Sequence, residues 1–193
     1  GATGIEVAGI LSEMKKFVLP NDYPDMPSSL MHIYLIEAGP RLLAGMSEES
    51  SAHAEQFLRE MGVNILLNKR VVDYRDHKVV LEDGTEIATR TFIWVSGVTG
   101  VTIGNLDASL IGRGGRIKVD SFNRVEGMNN VFAIGDQCIQ LADENYPNGH
   151  PQLAQVAIQQ GELLAKNLVR MEKGREMKPF HYRNLGSMAT VGR

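Results

Sequence analysis

A single cysteine, Cys138, is all the thiol chemistry this sequence offers. It excludes an internal disulfide framework and any cysteine-rich zinc site. No apolar run approaches the roughly 18 to 20 residues that a membrane helix requires. No basic-then-apolar leader precedes the opening glycine-rich motif either. Neither sign of charge is in excess: Lys+Arg 20 against Asp+Glu 23 gives a formal net charge of -3. That is too mild a balance for an electrostatic nucleic-acid binder. Five histidines (His32, His53, His77, His150 and His181) are scattered without ligand spacing, so no metal site is expected. No nucleophile signature such as Gly-x-Ser-x-Gly occurs. What remains is an ordinary globular composition, 43% hydrophobic and 22% charged over 193 residues. That is enough for one good core or two small lobes in a soluble, reduced compartment.

The 20 glycines fall in motifs rather than in a linker. Gly1-Ala2-Thr3-Gly4 matches the last four positions of Gly-x-Gly-x-x-Gly and runs into a helical pattern that ends by the loop of residues 20–27. In such a turn one glycine lets backbone approach a pyrophosphate and the next lets the helix pack closely on a sheet. The helix N-terminus then offers free N–H groups and a positive dipole. An ordinary glycine turn would read the same way.

The run Met31-His32-Ile33-Tyr34-Leu35-Ile36-Glu37 is a buried parallel strand closed by an acid. An acid there accepts hydrogen bonds from the ribose hydroxyls of NAD and repels the extra phosphate of NADP. Its plainer reading is an exposed acid at a strand end. Glu6 lies in the first helical turn, where the dipole alone favours a carboxylate; the alternative is a group near a redox centre.

A helix over residues 48–61 and a strand over 63–67 come next. The pattern then becomes β-rich at 71–72, 79–81 and 91–95, with Asp83-Gly84 as a hairpin turn. After Gly97 come a glycine-rich stretch to Gly115, a strand over 116–120 and the apolar run Val131-Phe132-Ala133-Ile134 ending in Gly135-Asp136. A helix over 151–172 follows, and the end, 180–193, is extended. In that helix Ala154, Ala157, Leu164 and Leu168 read as the packed face, and Gln155, Gln159, Glu162 and Lys166 as a polar stripe. Spacing alone makes the stripe a solvated face. Cys138 reads as a small apolar filler.

The fold class is therefore α/β: a Rossmann-like lobe with a β-meander over 1–97, its first strand missing, and part of a second lobe over 98–193.

Taken together these residues resemble the two-dinucleotide-binding-domain flavoproteins, and within them the type II, non-proton-pumping NADH:quinone oxidoreductases. The likeness rests on Gly1-Ala2-Thr3-Gly4-Ile5-Glu6, the run from Leu35 through Glu37 to Leu43, Trp94-Val95-Ser96-Gly97-Val98 and Phe132-Ala133-Ile134-Gly135-Asp136. It rests also on Ala154-Gln155-Val156-Ala157-Ile158-Gln159 and the ending from Phe180-His181-Tyr182 through Gly186-Ser187-Met188-Ala189 to Arg193.

The resemblance implies NADH held by Gly1, Gly4 and Glu37, with Gly97 by its nicotinamide. It implies FAD met by Gly135, by Asp136 at the ribityl chain, and by the helix from Leu153 and Ala154. It places Glu6 beside flavin and nicotinamide, and Gln155 and Gln159 in a quinone pocket. Hydride would pass from NADH to flavin, and electrons on to a membrane quinone.

The family's other glycine-rich FAD unit and its membrane-binding helices are not among these residues. The likeness is thus to a fragment, inactive by itself. The parent protein would be cytoplasmic and peripheral on the inner face of the cytoplasmic membrane, or of an equivalent mitochondrial membrane, with a homodimer left open. Two other readings stay open: a disulfide, ferredoxin or ascorbate-radical reductase of the same superfamily, and a non-enzymatic NADH-binding module.

Overall fold

The computed structural model describes residues 1–101 and 103–192. The chain divides into two compact units, one of Gly1–Gly97 joined by the terminal segment from Ser187, the other of Val98–Gly186. The sequence reading ran the second lobe to residue 193. Instead, residues 187–192 pack with the first unit, and Arg193 lies outside the described residues.

In the first unit, α1 (Ala2–Glu13) buries Gly4, Ile5, Ala8, Gly9 and Ser12. It continues through a π turn, Met14–Val18, into the short α2 (Leu19–Asp22). Pro20 has no N–H to give and crowds the carbonyl four residues back; the π turn just ahead of it lets the chain stay helical. Strands β1 (Ile33–Ile36) and β2 (Val63–Leu66) pair in parallel with Ile33 opposite Val63. They are joined through α3 (Glu48–Glu60), where Ser47 caps the N-terminus by accepting from Ser50 N–H. Ile5, Ala8, Ile33, Leu42, Ala54, Leu58, Val63 and Ile65 close the core between helices and sheet. Burying each such side chain is worth about 1.5–3 kcal/mol.

The meander is β3 (Val71–Arg75), β4 (Lys78–Leu81) and β5 (Glu86–Ala88), all antiparallel. Asp83-Gly84 turns between β4 and β5, with Gly84 at φ 83°. Sequence reading missed β5, which is short and half polar. It also expected a strand over 91–95. No ladder forms there: Trp94 is 61% exposed, and Phe92 is held by stacking on Tyr74 at 5.0 Å.

In the second unit β6 (Ile117–Val119) pairs in parallel with β7 (Cys138–Gln140). Cys138 is buried with Ile117, Val119 and Val125, and burial pushes its thiol pKa up. Residues 131–134, expected as a strand before Gly135-Asp136, form a single antiparallel bridge, Phe132 opposite Arg124, with Val125 N–H bonding Val131 O and Ala133 N–H bonding Asn123 O. Gly135–Gln137 then winds into a 3-10 turn. The long helix α4 (Ala154–Glu172) follows. Its packed face is not the alanine and leucine set read from the sequence. Leu168 is 47% exposed, whereas Val156, Gln160 and Asn167 are buried. Polar amides occupy the buried face because each finds a backbone partner there, as described below.

Candidate functional site

In the first unit, Gly1 stands at the N-cap of α1 with no side chain capping the helix, leaving its first N–H groups free. A Cβ on Gly1 would meet nothing within 4 Å, so the approach to that helix end is open. Glu37 follows the last residue of β1, at the carboxyl edge of the parallel pair, where open α/β sheets bind nucleotides. Its Oε1 accepts from Gly39 N–H at 2.9 Å. Burial opposes ionisation of Glu37, while the backbone N–H groups of Gly39 and Ala38 favour it and lower its pKa. Two carboxylate oxygens have about four lone-pair sites, so acceptor capacity remains for a diol.

Gly4 contributes less than its motif suggests. A Cβ there would sit 3.4 Å from Val95 Cγ2 and 3.5 Å from Leu35 Cδ1, an ordinary contact. The close approach belongs to Gly9, where a Cβ would fall 2.8 Å from the backbone nitrogen of Gly192. Glu6, half-buried on the same helix, accepts from Thr190 N–H at 3.3 Å. Both residues therefore hold the terminal segment. Gly97 adopts φ 111° with open space at its Cβ position, where the first unit's main segment ends.

In the second unit the Gly135-Asp136 turn is braced from both sides. Gly135, at φ 64°, donates its N–H to Gln160 Oε1 at 2.7 Å, and a Cβ on it would press Ala157 Cβ at 3.2 Å. Gln152 Nε2 donates to the carbonyl of Asp136 at 3.1 Å. The Asp136 side chain is exposed and makes no hydrogen bond among the described residues. Leu153 is the N-cap of α4 and Ala154 its first residue; both are exposed, and no side chain caps this helix.

Behind the turn, Arg116 is buried and donates to the carbonyls of Cys138 at 2.6 Å and His150 at 3.1 Å. Burial lowers its pKa, against the favourable charge of Asp136. His150 Nε2 in turn meets Asp143 Oδ2 at 3.0 Å inside a nest of Tyr146, Phe180 and Tyr182. That bond holds the Asp143 carboxyl below its ordinary pKa.

Gln155 and Gln159 do not form a solvated stripe. Gln155 Nε2 donates to Gly186 O at 3.0 Å while its Oε1 accepts from Leu185 N–H at 3.1 Å. Gln159 makes the same two-point bond to Arg183, at 2.9 and 3.0 Å. Two turns further along α4, Asn167 grips Lys178 identically, both bonds at 2.8 Å. Three side-chain amides thus act as pieces of a strand for residues 178–186, with Phe180 and Tyr182 packed on Val156 and Leu163 between them. Sequence reading missed Asn167, Gln160, Gln152, Arg116 and His150. Only Gln160 carried a signal, as the second member of a Gln-Gln pair. Among the described residues no group of His, Cys, Asp and Glu could hold a metal ion.

A family model described as pyridine nucleotide-disulphide oxidoreductase matches residues 1–161. The chain is 33% identical over 206 aligned residues to a type II NADH:quinone oxidoreductase of Mycobacterium tuberculosis, covering 100% of this chain and 42% of that protein. It is also 33% identical to an internal alternative NAD(P)H-ubiquinone oxidoreductase, mitochondrial, of Arabidopsis thaliana, with 100% and 39% coverage. The chain thus spans well under half the length of these curated relatives. Among solved structures, Plasmodium falciparum NDH2 in complex with NADH superposes with a TM-score of 0.86 at 19% identity, over 100% of this chain and 54% of that one. This likeness supports the Rossmann-like α/β fold.

Proposed function

Because the chain belongs to the pyridine nucleotide-disulphide oxidoreductase family, we propose that its first unit binds NADH and its second meets FAD, as parts of a flavoprotein that passes electrons to a quinone. The observation that carries the reading is Glu37, a carboxylate kept ionised at the sheet's carboxyl edge beside the uncapped start of α1. Gly1 leaves the pyrophosphate room at that helix end, and Glu37 takes the adenosine ribose hydroxyls and rejects a ribose phosphate. Gly4 supports the turn, and Gly97 lies by the nicotinamide.

The second unit's residues fit a flavin. The exposed Asp136 carboxylate, free of hydrogen bonds among the described residues, suits a polyol chain, and the uncapped α4 start at Leu153 and Ala154 suits an electron-rich ring edge. Gly135 keeps the turn narrow. Bound flavin supplies the hydride-accepting and electron-passing chemistry; the chain's residues bind and orient. Glu6 belongs to the reading as a carboxylate near the redox centre. Gln155 and Gln159 belong to it as the acceptor-side wall, with quinone as acceptor by analogy to the relatives. They act through the segment they grip.

Titration of the chain with NADH and NADPH, followed by nucleotide fluorescence, tests the reading. NADH binds more tightly by roughly tenfold or more, and Glu37→Ala weakens it by about 1.5–3 kcal/mol as charge-assisted bonds are lost. Equal affinity for NADPH removes the role of Glu37. Absence of NADH binding removes the reading.

A further inference from the structure

In the second unit, a pocket of about 430 Å³ is lined by Phe122, Arg124, Met171, Arg175, Glu176 and Met177. None of these residues enters the nucleotide or flavin reading. Arg124 is the anomaly. Its backbone is well held, the N–H donating to Asp120 Oδ1 at 2.9 Å. Its guanidinium finds no oxygen at all among the described residues. Nη2 meets only the thioether of Met177 at 3.1 Å, the guanidinium carbon stands 5.8 Å from the Phe132 ring centre, and Nε is buried with no partner.

A thioether is a weak acceptor, and an arginine in a protein does not shed its proton. A half-buried cation is thus left with a ring face and a thioether but no oxygen partner among the described residues. Nε is buried and Nη2 meets the Met177 sulfur, so an anion in the pocket would meet the guanidinium as Met177 gives way. No carboxylate forms an ion pair with Arg124 or Arg175 among the described residues. The lining carries two guanidinium groups and one carboxylate, Glu176, while the Asp120 carboxylate beside it is engaged by the backbone N–H groups of Phe122 and Arg124. Phe122, Met171 and Met177 supply an apolar wall, and methionine adapts readily to a new neighbour.

We infer that this pocket binds a small carboxylate with an apolar tail, its head on the guanidinium of Arg124 and its tail against Phe122, Met171 and Met177. This stands independently of the nucleotide reading.

The test labels the whole chain with ¹³C-methyl methionine and titrates it with hexanoate, using hexanol and inorganic phosphate as controls for tail without charge and charge without tail. Met171→Leu and Met177→Leu assign the two methyl signals. Both signals shift saturably with hexanoate, while hexanol and phosphate bind roughly tenfold more weakly or worse. Arg124→Met loses the response, and Arg124→Lys, which keeps the charge but not the fork, weakens it. If Arg124→Met does not fold, Arg175→Met at an exposed position serves instead and weakens binding severalfold. Hexanoate shifts equal to those of hexanol, shifts that persist without either arginine, or no shift at either methionine overturn the inference.

Discussion

At the end of β1, Glu37 accepts from Gly39 N–H and still has lone pairs to offer, beside a helix start with open space around Gly1. On α4, Gln155 and Gln159 have an amide donor and acceptor each already bonded to backbone. Both places carry polar side chains singled out by motif, yet one faces open space and the other is engaged in holding the chain's own segment, with one N–H and one lone pair of each amide left over. Motif spacing reports which residues face one way. Whether their hydrogen-bonding capacity remains free depends on what the rest of the chain lays across them.

The comparison breaks most readily on α4. Asn167→Ala removes two bonds from a fully buried amide and should lower stability by about 2–3 kcal/mol in urea unfolding. Gln159→Ala, at a more exposed grip, should cost about 1 kcal/mol. An unchanged urea midpoint for Gln159→Ala would mean that the amide is not committed to the segment and is available to an acceptor.

The two glycines of α1 sharpen the same contrast between motif and contact. Gly9→Ala drives a methyl into the backbone of Gly192 and should destabilise by about 1 kcal/mol net, after its helix-propensity gain. Gly4→Ala, with only ordinary contacts to meet, should be neutral or stabilising by about 0.5 kcal/mol. A thermal melt of the pair decides it; the reverse order would return the close-packing role to Gly4.

The smallest effect concerns acid. The Asp143 pKa is depressed first by its bond to His150, with burial opposing and Asn145 N–H assisting. A depressed folded-state pKa adds stability above the unfolded carboxylate value, near 4, and that stability is lost as pH falls through the folded value. Stability measured from neutral to acid pH should therefore decline below about pH 4, and Asp143→Asn should flatten that decline. An unaltered acid limb would show that the pair carries no linkage.

Legibility followed locality. The separate elements β1, α3 and β2, the turn at Asp83-Gly84 and the acid after β1 could all be read, because each is specified by residues within a few positions of one another. The helix face of α4 could not. Its buried residues include Gln160 and Asn167, and a polar residue becomes a core residue only through a partner distant in sequence, Gly135 in one case and Lys178 in the other. Residues 91–95 failed for the related reason that an apolar β-rich run is a strand only where another backbone pairs with it, and residues 131–134 pair only at one bridge. The roles of Glu6 and Gly9 depended on the last residues of the chain folding back onto α1, which no local pattern announces.

The buried Cys138 makes the protein convenient to label. Its side chain sits in the β6–β7 core with a thiol that burial holds in the unreactive protonated form, and the sequence has no second cysteine. A cysteine introduced at an exposed position, such as Ala52→Cys on α3, would be the one thiol that a maleimide reaches in the folded state. With two such cysteines, dyes or spin labels could be attached in pairs, without first removing a native residue, to measure distances within either unit as nucleotide or hexanoate is added.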